Sequence, residues 1–156
     1  MAAPTPEMAA RINSLQQELN SAIEHYRRLA KSNYRFALAL MTVTLIASAL
    51  AGLGGIFFGF DAKLTGGIAL LPGITALIGS VLKPQGRANW HYKKKDSLNA
   101  LRRRLLYELP ESPSPDNVAA ISNDWASLDK QMNEEWERNY ILDWGPFAKG
   151  KERNGH

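Results

Sequence analysis

The sequence has no cysteine, which excludes disulfides, thiolate metal sites and cysteine nucleophiles. Histidine is scarce, and His25 and His91 each stand without a local metal-ligand spacing or a nucleophile arrangement beside them. Neither an enzymatic centre nor a cofactor is therefore expected. Charge is missing over two long stretches: residues 36–60 form a run of 25 without Asp, Glu, Lys, Arg or His, and residues 64–82 form another of 19. Glycine and proline are both missing between Pro6 and Gly52, so nothing interrupts a helix that starts near Thr5-Pro6-Glu7 and continues into the first uncharged run.

Those two runs carry the main expectation. As helices they would be roughly 37 Å and 28 Å long, against a hydrocarbon layer of about 30 Å. The alternative, a hairpin buried in a soluble globule, asks the rest of a 156-residue chain to cover two long apolar helices all round, and too few residues are left for that. About 35 mostly polar residues precede the first run, which is also too long for a signal core, so retention of the N-terminus is expected. Arg27, Arg28, Lys31 and Arg35 precede the first run, Lys83, Arg87, Lys93, Lys94 and Lys95 follow the second, and the turn between them holds only Lys63. This asymmetry predicts a multi-pass protein of the cell membrane with both termini cytoplasmic. No groove-reading or stacking motif accompanies the basic residues, so nucleic acid is not an expected partner.

The segmentation follows. Residues 1–35 are expected to form a cytoplasmic amphipathic helix, 36–60 the first transmembrane helix, 61–63 an external turn, and 64–82 the second transmembrane helix. A basic helix over 83–109, a Pro-rich linker over 110–115, an acidic amphipathic helix over 116–144 and a disordered tail over 145–156 complete the chain. The fold class is thus an all-α membrane protein, a transmembrane hairpin with a cytoplasmic bundle of about three helices. Met8, Ile12, Leu15, Leu19, Ala22, Tyr26 and Leu29 recur at three and four, suiting either packing within one bundle or a self-associating coiled-coil stalk. Val118, Ile121, Trp125, Leu128, Met132 and Trp136 make a second such face. Trp90 and Tyr92 are expected at headgroup depth.

Residues 87–107 carry a net charge of +6 and residues 116–143 one of −5, so the two helices should attract. Lys93, Lys94, Lys95, Arg102, Arg103 and Arg104 are the candidate contacts, with the acidic helix or anionic lipid as competing partners. Within the apolar runs, Ala47, Ala51, Gly55 and Gly59 recur every four residues, and Ala69 and Gly73 belong to a comparable row with Ala76 and Ser80. Such rows let helix backbones approach closely, within one hairpin or between copies, and a homo-oligomer is expected. Thr44, Ser48, Thr75 and Ser80 are the candidate pore-facing hydroxyls.

A basic helical lead ending Tyr26-Arg27-Arg28-Leu29-Ala30-Lys31, two Gly-rich spans with a very short turn, Trp90-His91-Tyr92 and a long helical tail resemble the SLATT family, the SMODS- and SLOG-associating two-transmembrane effector domains of microbes. The resemblance covers residues 10–145 and rests on architecture, without a catalytic signature. It implies an oligomeric, pore-forming or membrane-disrupting effector in a conflict or defence system, triggered by a nucleotide-sensing or nucleotide-generating protein partner. A non-conducting scaffold that recruits a cytoplasmic partner is the alternative.

Overall fold

A computed structural model describes residues 5–57 and 59–140, the side chains of 55 and 56 excepted. All regular structure among them is helical. Helix α1, Pro6–Phe57, is a single element of 52 residues, about 78 Å long. Its start is capped by the Thr5 hydroxyl, which accepts from the Met8 N–H at 3.4 Å, with Glu7 in the positive first turn.

The chain turns at residues 59–61, two residues earlier than the charge pattern suggests. Gly59 takes a left-handed φ of +65°, and the Phe60 N–H returns to the Gly54 carbonyl at 3.2 Å. The Phe60 ring then covers Gly54, where a Cβ would collide with it. Asp61 acts as the N-cap of helix α2, Ala62–Leu82, accepting from the Leu64 N–H at 2.7 Å. Ala62 and Lys63 therefore belong to the helix, because capping by Asp61 sets its start.

Helix α2 ends at Lys83, alone in the left-handed region among the described non-glycine residues, with φ 45° and ψ 49°. Pro84 then opens helix α3, Pro84–Arg103, at a first-turn position where its missing N–H costs nothing. The junction between α2 and α3 is thus one residue wide. Helix α3 continues through a π-helical turn, Arg104–Glu108, to an extended Leu109. After the Pro-rich linker, helix α4 spans Pro115–Tyr140. The expected extension to 144 and the tail over 145–156 lie outside the described residues.

Helix α1 pairs with α2 along its second half and with α3 along its first half, and α4 joins the latter pair. Leu19 and Ile23 of α1, Leu98 and Leu101 of α3, Leu105 of the π turn and Ile121 of α4 form one buried cluster. Ile12, Leu15, Ala22, Tyr26, Trp125 and Leu128 pack around it. The heptad-like face of α1 is therefore used within the chain. Each large aliphatic side chain so buried contributes about 1.5–3 kcal/mol.

Candidate functional site: the apolar hairpin and the aromatic cluster below it

Two helices are long and apolar enough to cross a membrane, and only 6% of the most apolar window of each is buried. Leu45, Ile46, Leu70 and Leu77 are all more than half exposed. The core helix of a soluble protein would hide such a surface, so the hairpin's exposure sets it apart from the buried bundle core.

Along the hairpin, burial recurs at Ala37, Leu40, Thr44, Ala47, Ala51 and Gly54 on α1, and at Thr65, Ile68, Pro72, Thr75, Gly79 and Leu82 on α2. Both series alternate three and four, the periodicity of a left-handed antiparallel pair. Ala47 is 3% exposed and Ala51 is half-buried, so both lie on the inner seam. The side-chain surroundings of Gly55 lie outside the description, and Gly59 is beyond the helix, exposed and with nothing near its Cβ position. The four-residue row read from the sequence therefore does not make one continuous face; Gly54 joins the seam in its place.

Ala69 and Gly73 lie outside the seam, about 100° round the helix from it. With Gly66, Ala76 and Ser80 they form an exposed outer stripe of small residues at three-four spacing, and a Cβ built on Gly66 or Gly73 meets nothing. The sequence row began at Ala69; Gly66 extends it by one step of the same period.

The candidate pore hydroxyls divide in the same way. Thr44 and Thr75 face each other across the seam with their Oγ1 atoms 2.6 Å apart. Thr44 Oγ1 is also 2.8 Å from the Leu40 carbonyl, and Thr75 Oγ1 is 3.0 Å from the carbonyls of Leu71 and Pro72. Two hydroxyl protons serve this set, so the pair runs either from Thr44 through Thr75 to α2 or from Thr75 through Thr44 to α1. Either way both threonines are committed to the seam rather than presented outward. Ser48 and Ser80 are exposed, and their hydroxyls donate to the carbonyls of Thr44 and Leu77 at 2.8 Å and 2.9 Å.

Where α2 passes into α3, the end of α4 is tied down. Lys83 Nζ donates to the Asn139 carbonyl at 3.2 Å and Arg87 Nη2 to the Tyr140 carbonyl at 3.0 Å, so two cations meet the negative end of α4. The Tyr140 ring lies against Gly86, where a Cβ would come within 2.9 Å of it. Trp90 is 5% exposed, donates from Nε1 to the Met132 carbonyl at 3.2 Å, and packs on Trp136 with centroids 4.7 Å apart. The Trp90 ring is thus held inside the bundle, where α4 supplies both a ring and an acceptor. These contacts, 40 to 60 residues apart in the chain, carry no signal in the sequence beyond residue type.

Lys94, 3% exposed, lies 3.1 Å from Asp129 and over the rings of Tyr26 and Trp90, at 4.6 Å and 5.2 Å. A buried ammonium needs such compensation. Lys93 meets Glu135 at 2.7 Å, Arg104 meets Asp124 at 2.6 Å, Arg102 donates to Asn20 at 3.1 Å, and Lys95 pairs with its neighbour Asp96. Arg103 is exposed and has no partner among the described residues. Acidic-helix contact thus accounts for Lys93, Lys94 and Arg104. His91 packs among Tyr26, Trp90 and Trp136 with Nδ1 buried and lacking a hydrogen-bond partner among the described residues. Burial, then His25, Lys94 and Arg87, push its pKa down from 6.5 to about 4.

Among the described residues no three His, Asp or Glu side chains converge on a common metal position. The arrangement packs, orients and pairs charges. No family model matches the chain, and no curated protein or solved structure matches it either.

Proposed function

We propose that this chain is an oligomeric two-span membrane protein, with both termini cytoplasmic, whose assembled hairpins permeabilise the membrane. The observation that carries the reading is the exposure of the apolar hairpin: a surface that water solvates poorly is suited to lipid, and its backbone hydrogen bonds are satisfied within the helices. The basic flanks, against a turn region holding only Lys63, support the orientation.

One hairpin cannot enclose water, so a pore needs several copies. The outer stripe of α2, from Gly66 to Ser80, favours their close approach, since packing of small residues replaces the hydrophobic drive that lipid cannot supply. Neither apolar run holds an ionisable group, which favours gating by constriction over an ion-coupled carrier. The permeabilising activity, and a trigger from a nucleotide-sensing or nucleotide-generating partner, are what the SLATT resemblance implies. The Thr44–Thr75 pair favours a second reading, a non-conducting scaffold, because it leaves fewer hydroxyls to line a pore.

The test replaces Ala69 and Gly73 by Leu. Nothing occupies the Cβ position of Gly73, so the hairpin should survive while copies are held apart. The expected result is an oligomeric wild type that leaks dye from liposomes when the neighbouring gene's product or a candidate nucleotide is supplied, and a monomeric Ala69→Leu/Gly73→Leu variant that does not. An oligomeric wild type that never leaks would favour the scaffold instead, and a monomeric wild type would end the pore reading.

A further inference from the structure

On α1 the cations divide into two groups. Arg11 and Arg27 pair with Glu7 and Glu24 at 2.8 Å and 3.1 Å. Arg28, Lys31 and Arg35 are exposed and have neither a carboxylate nor any other hydrogen-bond partner among the described residues. They are spaced three and four apart, so they share one face, and no acid occurs in the sequence between Glu24 and Asp61 to compete for them. The same spacing continues through Leu38, Thr42 and Leu45, all exposed, so one stripe of α1 is cationic over about 10 Å and then uncharged over a similar length. Tyr34, 54% exposed, stands beside the join.

We propose that this stripe binds anionic phospholipid, the phosphate group meeting Arg35, Lys31 and Arg28 and the acyl chain lying along Leu38, Thr42 and Leu45. The inference rests on the membrane reading above. The headgroup zone on one side of a bilayer is about 5–7 Å deep, within reach of three long cationic side chains starting at the edge of the apolar run. Charge complementarity selects an anionic headgroup, and the continuous apolar half selects a lipid over a nucleic acid, which offers nothing to lie along Leu38 and Leu45. Lys93, Lys94 and Arg104, in contrast, are engaged by carboxylates of α4.

The test uses the full chain reconstituted in phosphatidylcholine bilayers with a trace of spin-labelled phosphatidylglycerol or spin-labelled phosphatidylcholine, reading the motionally restricted fraction of each. The wild type should restrict phosphatidylglycerol severalfold more than phosphatidylcholine at low salt, with the preference falling as salt rises. Arg28→Gln/Lys31→Gln/Arg35→Gln should approach parity. Arg28→Lys/Lys31→Arg/Arg35→Lys should keep the preference, as should Lys130→Gln/Arg138→Gln, which removes two exposed cations of α4. Parity in the wild type, an undiminished preference in the triple Gln variant, or loss of preference in the Lys130/Arg138 control would overturn the site. If neither lipid is restricted, the membrane reading itself fails.

Discussion

His91 and Lys94 lie on one face of α3, and burial treats them differently. Lys94 has the Asp129 carboxylate and two ring faces, whereas His91 has an aromatic cage, cations nearby and a buried Nδ1 without a partner among the described residues. The folded protein therefore favours the neutral imidazole, with the pKa lowered from 6.5 to about 4. Stability from this group is complete above about pH 6.5 and is lost as the pH falls toward 4, where folding and protonation compete at up to ~1.4 kcal/mol per pH unit. Thermal unfolding followed by tryptophan fluorescence should show the wild type weakening between pH 6.5 and 5, above the range where most carboxylates titrate, and His91→Phe should be nearly flat there. Equal slopes for the two proteins would show that His91 is not the group responsible.

The second half of α4 is held where Met132, Trp136 and the carbonyls of Asn139 and Tyr140 meet Trp90, Arg87 and Lys83. Trp136→Ala removes a half-buried ring from this contact and should cost about 2–3 kcal/mol. Hydrogen exchange over residues 129–140 should accelerate while residues 40–50 of α1 keep their protection; unchanged exchange in α4 would mean that the ring does not hold it. The existence of these helices was legible in the sequence, because α1 lacks breakers from Glu7 to Ala51 and α4 repeats its apolar residues at three and four. Helix facing was less legible. The sequence beside an apolar run does not say which way a tryptophan faces, and only contacts such as the Met132 carbonyl, 42 residues away, place the Trp90 ring inside the bundle. Likewise, two rows of small residues do not say which faces inward: Ala47 and Ala51 lie on the seam, while Ala69 and Gly73 lie outside it. The turn lies two residues before the one the charge pattern predicts, because the Asp61 carboxylate caps α2 and draws Ala62 and Lys63 into the helix.

At the scale of the whole molecule, α1 is common to the apolar hairpin and the bundle, while α2 and α3 are separated by the single residue Lys83. Displacement of the bundle would therefore reach the apolar hairpin through α1 directly and through α2 by way of one left-handed joint. That account stands on the claim that the hairpin crosses a bilayer with both polar ends on the cytoplasmic side. Single cysteines at Ala62, Leu77 and Ser127, all exposed positions in a chain with no cysteine of its own, test it most directly with a membrane-impermeant thiol reagent. In intact cells Ala62→Cys should label. Ser127→Cys should label only after the membrane is opened without detergent, and Leu77→Cys should stay protected until detergent removes the lipid. Labelling of Ser127→Cys but not Ala62→Cys in intact cells would reverse the orientation, and free labelling of Leu77→Cys in opened, detergent-free membranes would contradict the claim that this face lies against lipid.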